Sequence, residues 1–172
     1  MHFIPTQYYQ NIFEIPLEAL HQLGVKHLLA DLDNTLDSYR LYEPSPRVVE
    51  WKKKLDEQGI TLHIISNNHG KRVKAYASCL GVSYLADTHK PFKGRLLKYL
   101  KEHGIAKKEA LLVGDQLMTD VWMALRAGLR VVLTEPIVKE DQWTTHFNRL
   151  IDRPIRKSLK KKRKIYLNMG GW

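Results

Sequence analysis

Eight side chains have types and spacing suited to chemistry: Asp31, Asp33 and Thr35 in a D-x-D-x-T string, then Ser66 and Asn67, Lys90, and finally Asp115 and Asp120 behind Gly114. Taken singly, each has an ordinary structural explanation. A serine opens loops and caps helices, an aspartate after a glycine makes a turn, and a lone lysine is usually a surface residue. Taken together they say more, because each group follows its own apolar run and none is needed to fill a core. Acids, a hydroxyl and a lysine delivered to one place suit cation binding, proton transfer and the neutralising of an anion.

The elements that must deliver them are legible as alternating patterns. Apolar runs at 25–32, 60–65, 82–86, 110–113 and 129–133 predict five strands. Between them, 46–58 carries Val48, Trp51 and Leu55 at helical spacing and stops at Gly59. Residues 70–80 read as a helix ended by Gly81, and 117–127 as one stopped by Gly128. Residues 92–103 place Phe92, Leu96, Leu97 and Leu100 on one face and end at Gly104. Strands alternating with helices predict an α/β fold, a Rossmann-like three-layer sandwich around a mainly parallel five-stranded sheet. In such a sheet, active groups collect beyond the carboxyl ends of the strands. That is where all the singled-out residues fall. Residues 1–23 are expected to pack on the sheet as an arm and a short helix.

Composition sets the outer bounds. The chain has 172 residues, 44% hydrophobic and 27% charged, as expected for one globular domain. We place that domain at 1–150, with the N-terminal arm, and a basic tail at 151–172. No apolar run approaches the ~18 residues of a membrane span. The N-terminus lacks a basic stretch leading into an apolar one, so no secretory signal is expected. The single cysteine, Cys79, excludes an internal disulfide and a multi-cysteine metal site, and its helical position suggests a small core residue. A cytoplasmic protein fits these features. Charge is uneven: residues 1–152 hold 20 basic and 18 acidic side chains, whereas 153–172 hold 8 basic and none acidic. Such a tail is either a solvated terminus or a docking element for anionic lipid or RNA. Its closing aromatic and apolar residues suit insertion at an interface or stacking on bases.

The ordered set from Asp31 to Asp120 resembles the haloacid-dehalogenase-like (HAD) phosphatase superfamily, over roughly residues 25–133. The strings 31–36 (DLDNTL) and 114–120 (GDQLMTD) are similar to those of subfamily IIIA. Within it they most resemble the YqeG-like group, related to the mitochondrial phosphatidylglycerophosphate phosphatases. The resemblance implies an Mg²⁺-dependent phosphomonoester hydrolase with Asp31 as the nucleophile that forms a phosphoaspartate. It implies that Asp33 protonates the leaving oxygen and later activates water. Asp31, the Asp33 carbonyl and Asp115 would bind Mg²⁺. Ser66 and Asn67 would hold phosphoryl oxygens, and Lys90 would balance charge at the nucleophile and transition state. Thr35 would brace the first loop. Asp120 would either support the metal ligands from behind or orient Lys90. The residue types suit this chemistry, since a phosphate ester repels a carboxylate unless cations bring the two together.

The gaps between motifs hold no cap domain, since 36–65 has room for one loop and one helix and 69–89 for one helix and one strand. A capless site implies a macromolecular or surface-borne phosphate, or an oligomer in which a neighbour supplies the lid. The leading named candidate is a phosphatidylglycerophosphate-like lipid. The alternative is an RNA- or ribosome-associated phosphatase-like binding protein. A two-component receiver fits poorly, because no lysine closely follows the fifth run. Of the remaining polar residues, His69 and His89 read as loop residues near the site. His63 reads as a satisfied histidine inside a strand, Asn68 and Gln116 as polar walls, and Asp37 as a candidate substrate contact.

Overall fold

A computed structural model describes residues 4–138. Six strands form one sheet: β1 (Gln7–Tyr9), β2 (His27–Ala30), β3 (Thr61–Ile65), β4 (Ser83–Leu85), β5 (Ala110–Gly114) and β6 (Arg130–Thr134). The order across the sheet is β1-β6-β5-β2-β3-β4, and every pairing is parallel. Each strand therefore ends at the same edge, and β2, flanked by β5 and β3, lies near the centre of it. The sheet thus has one strand more than the five expected. The extra one, Gln7–Tyr9, comes from the N-terminal arm and pairs with β6, Gln7 opposite Val132.

Five α-helices cover the two faces: α1 (Leu17–Gln22), α2 (Pro46–Glu57), α3 (Gly70–Leu80), α4 (Gly94–Glu102) and α5 (Trp122–Ala127). The two-residue period of a strand sends alternate side chains to opposite faces, and two cores result. Leu28, Ala30, Leu62 and Ile64 meet Leu20 of α1, Val48, Trp51 and Leu55 of α2, and Val73, Tyr76 and Leu80 of α3. Leu29, Ile65, Leu112 and Val131 meet Leu96 and Leu100 of α4 and Met123 and Ala127 of α5. This is the three-layer sandwich anticipated from the sequence.

The local signals that set the helices are conventional. Ser45 caps α2, accepting from the Val48 N–H, and Pro46 occupies its first position, where no donor is missed. Gly81 ends α3 at φ 69°, a left-handed turn that a β-carbon would oppose. Helical periodicity misplaced two side chains. Phe92 precedes α4 and is 68% exposed rather than lining the apolar face. Cys79 is exposed, because the buried stripe of α3 runs through Val73, Tyr76, Ala77 and Leu80. Inside β3, His63 is buried, its Nδ1 2.9 Å from the Tyr99 hydroxyl and its Nε2 3.1 Å from His27 Nδ1. It is the satisfied histidine the sequence suggested.

Among the described residues, no helix is long and apolar enough to cross a membrane. The basic tail at 151–172 and the end of the domain at 150 lie outside the described residues.

Candidate active site

The chain leaves β2 at Asp31, whose N–H donates to the Val113 carbonyl of β5. A tight loop follows. Leu32 and Leu36 are fully buried in the core and fix it from below. Asn34 adopts φ 65° so that its N–H reaches the Asp37 carbonyl at 2.7 Å, a conformation asparagine tolerates better than most residues. Asp37 is buried, and its Oδ2 accepts from the Ser45 N–H at 2.9 Å and the Tyr76 hydroxyl at 2.5 Å. It is therefore a clamp on the loop rather than a substrate contact. The Thr35 hydroxyl is buried and makes no hydrogen bond among the described residues, so the bracing expected of Thr35 falls to Asp37.

The other groups arrive on neighbouring strands. Ser66 follows β3, is 1% exposed, and its Oγ accepts from the Asn68 N–H at 3.0 Å. Thr88, fully buried, donates its hydroxyl to the Ser66 carbonyl at 2.8 Å and fastens the end of β3 to the loop after β4. That loop carries Lys90, which a cis peptide joins to Pro91. Asn67 grips the backbone of Lys90 from both sides: its Oδ1 accepts from the Lys90 N–H at 2.7 Å, and its Nδ2 donates to the Lys90 carbonyl at 3.3 Å. The Lys90 ammonium then reaches Asp31 Oδ1 at 2.5 Å and Asp120 Oδ1 at 2.7 Å, all three side chains being buried.

Asp120 stands in a π-helical turn, Leu117–Val121, where a single α-helix from 117 was expected. The wider turn carries Asp120 back to the end of β5, where its Oδ2 accepts from the Gln116 N–H at 3.1 Å. Asp120 lies directly over the Cα of Gly114, which is why that strand ends in glycine: a β-carbon there would fall 2.5 Å from Asp120 Oδ2 and closer still to Cγ. Asp120 Oδ1 is ion-paired to Lys90. Asp120 also belongs to the acidic cluster, since carboxylate oxygens of Asp31, Asp115 and Asp120 lie within 4.8 Å of one another.

Asp33 is not one of the three clustered carboxylates and is held from α3 and the loop after β3. Its Oδ1 receives Arg72 Nη1 of α3 at 2.6 Å and its Oδ2 receives Asn68 Nδ2 at 3.3 Å. The second fork of Arg72 donates to the Leu41 carbonyl at 2.8 Å, and the guanidinium lies 5.8 Å from the Tyr42 ring centroid. Sequence reasoning missed Arg72 and Thr88. Neither had a signal, since Arg72 is one of three basic residues near the start of α3 and Thr88 sits in a short polar loop. His69 and His89 are exposed at the rim, His69 paired with Asp87.

Electrostatics explain what this arrangement wants. Burial pushes the Asp31 carboxyl up to about 7, with Asp120 and Asp33 adding to the rise and Lys90 opposing it. Burial works against the Lys90 ammonium, but Asp120 and Asp31 outweigh it and hold the lysine protonated well above its usual range. Three buried carboxyls thus face one ammonium. An excess of negative charge in a dry place is costly unless a cation joins it. The donors are all carboxylate oxygens, so a hard divalent metal fits.

An aspartate on the central strand, answered by a hydroxyl, a lysine and a second acidic pair from successive strands of a parallel sheet, defines a phosphoric monoester hydrolase of the HAD superfamily. The chain belongs to the mitochondrial PGP phosphatase family, whose model matches residues 1–138. It is 35% identical over 160 residues to a protein of Bacillus subtilis described as a probable phosphatase, YqeG, covering 93% of each chain. It is 28% identical over 150 residues to the chloroplastic/mitochondrial phosphatidylglycerophosphate phosphatase 1 of Arabidopsis thaliana, covering 81% of this chain and 42% of that one. In fold it is similar to a putative 3-deoxy-D-manno-octulosonate 8-phosphate phosphatase from Vibrio cholerae, with a TM-score of 0.54 over 69% of this chain and 72% of that one at 19% identity.

Proposed function

We propose that the chain is an Mg²⁺-dependent phosphomonoesterase that works through a phosphoaspartate on Asp31, and that its substrate is a phosphate carried by an anionic lipid of the phosphatidylglycerophosphate kind. The observation that carries the chemistry is the buried Asp31–Lys90–Asp120 array beside Asp115. Asp31, Asp115 and the Asp33 carbonyl would hold the metal. When bound, it would lower the repulsion between the carboxylate and the phosphate and neutralise developing charge.

The chain's own residues account for the rest. An Asp31 oxygen attacks phosphorus as the ester P–O bond breaks, and Asp33 passes a proton to the departing alkoxide. Asp33 then takes a proton from water as the water attacks phosphorus. The bond to Asp31 breaks, inorganic phosphate leaves, and the carboxylate returns. Lys90, fixed by Asn67 and Asp120, needs no reorganisation to stabilise the transferring group. Because the Asn67 side chain is committed to Lys90, the group it offers a phosphoryl oxygen is its backbone N–H, beside the Ser66 hydroxyl.

Two features support the lipid. The loop with α2, and α3 with β4, occupy the stretches where a cap would be inserted, so a bulky or surface-held phosphate has access. The acid-free basic segment at 153–172 supplies charge suited to an anionic surface on the cytoplasmic side. Asp31→Asn should abolish turnover, without loss of fold, of both a soluble aryl phosphate and detergent-dispersed phosphatidylglycerophosphate. A variant that hydrolyses either at the wild-type rate refutes the nucleophile. A wild-type protein that cleaves the soluble ester and ignores the lipid refutes the substrate class. Co-sedimentation with RNA or ribosomes would then favour the nucleic-acid reading.

A further inference from the structure

The carboxyl edge of the sheet carries more than catalytic groups. Among the described residues, six large apolar side chains are exposed, and four of them, Leu41, Tyr42, Phe92 and Ile137, belong to loops leaving β2, β4 and β6 at this edge. Tyr42 and Phe92 are each 68% exposed. All four are tied to the site. Arg72, which grips Asp33, donates to the Leu41 carbonyl and lies over Tyr42. The Ile137 N–H donates to the Asn34 carbonyl of the nucleophile loop. Phe92 lies two residues beyond Lys90, its N–H bonded to the His89 carbonyl. Scattered exposed apolar residues mean little, but a set confined to the rim of one opening marks a contact surface.

We infer that Leu41, Tyr42, Phe92 and Ile137 form a bilayer-contact rim that seats the open active site against an anionic lipid surface. The chemistry of the rim selects this partner. Two members are aliphatic, so they gain by entering hydrocarbon and have no face to stack on a nucleic-acid base. The other two are aromatic, the type that settles at the headgroup level. Charge on these loops is mixed, with Arg40 and Lys93 exposed and Glu43 exposed beside Tyr42, so the attraction to an anionic surface falls to the basic segment at 153–172. The chain passes Val138 on this edge, and the acid-free basic segment at 153–172 lies further along the sequence. Apolar contact and charge together satisfy the two-signal requirement for stable attachment, which neither meets alone.

This inference deepens the lipid-phosphate reading and rests on it, but the two fail separately. The test uses the full chain and vesicles that contain no phosphomonoester: phosphatidylcholine alone, or with about one third phosphatidylglycerol. The wild type should sediment with the anionic vesicles. Phe92→Ser combined with Ile137→Ser should weaken that partition about tenfold or more, from the lost burial of one ring and one aliphatic chain. Turnover of a soluble aryl phosphate should stay unchanged, since neither side chain touches the site. Wild-type partition by the double variant overturns the rim and leaves charge alone to hold the protein. A wild type that stays off anionic vesicles also overturns it, with or without RNA binding. Detergent-dispersed lipid phosphate, which needs no docking, tests the substrate reading independently.

Discussion

Replacing Gly114 by alanine tests the geometry of the site with one methyl group. Gly114 is buried at the end of β5, and its φ lies in a region any residue adopts, so the backbone itself raises no objection. On that ground alone, alanine should stabilise the chain by about 0.4–1 kcal/mol through the unfolded state. The new β-carbon, however, falls 2.5 Å from Asp120 Oδ2 and nearer to its Cγ. Ordinary contact needs roughly 3.5–4 Å, so Asp120 must retreat by about 1 Å or more. It has nowhere to go, being 1% exposed and held by Lys90 and the Gln116 N–H. Overpacking of this kind costs about 1–3 kcal/mol, and the strained ion pair adds to it. A net loss of about 2 kcal/mol should lower the melting temperature by about 4–8 °C. Activity should fall further than stability suggests, because Asp120 positions Lys90 and a displacement near 1 Å costs about 10²-fold in rate. Thermal unfolding and steady-state turnover of an aryl phosphate read the two effects separately. An alanine variant with wild-type melting and wild-type kcat would show that the close approach of Asp120 to Gly114 does not govern the site.

Asp33→Asn should slow a substrate with a poor alkoxide leaving group far more than an activated aryl phosphate, so equal losses across a leaving-group series would count against proton transfer from Asp33. Tyr76→Phe removes the hydroxyl that Asp37 accepts at 2.5 Å in a buried place, and denaturant unfolding should register a loss of about 1.5–3 kcal/mol. Burial, together with His27 and His103, lowers His63 to about 4 from an unfolded value near 6.5. The folded state therefore binds fewer protons than the unfolded one between these values. The contribution is full above pH 6.5 and lost as pH falls toward 4, to a total of up to about 3 kcal/mol. Urea midpoints from pH 4 to 7 should rise less steeply for His63→Asn, and identical slopes would sink this account.

The sequence announced the strands that sit in the middle of the sheet, because burial on both faces demands runs such as Leu28–Leu29 and Leu111–Leu112–Val113. It did not announce β1. Gln7–Tyr9 is three residues long and half-buried, and backbone pairing to β6 holds it, which leaves little trace in side-chain type. The gathering of the candidate site groups was legible for a related reason: a parallel sheet brings strand ends together, so position in sequence predicts position in space. What surrounds them was not. Arg72 and Asp33 are 39 residues apart, and nothing local marks the arginine that meets the carboxylate. The π-helical turn was equally hidden, since the sequence at 117–121 suits an α-helix and the wider turn answers to Asp120 reaching back over Gly114. Phe92 and Cys79 show the limit of periodicity, which places a residue on a helix face without showing where the helix starts or what covers that face.

The two forks of Arg72 have a consequence for how such an enzyme diversifies. One holds the Asp33 carboxylate, which the proposed mechanism assigns to the leaving group, and the other holds the carbonyl of Leu41 at the lip. The lip and Asp33 are therefore one mechanical unit. A change that reshapes residues 39–43 to admit a new substrate would also re-aim Asp33, so that, under the proposed mechanism, access and protonation would be inherited together. Loop exchange between relatives would carry specificity across only when the residue at position 72 and its partners travel with the loop. A laboratory library confined to the lip would return mostly slow enzymes, whatever their affinity.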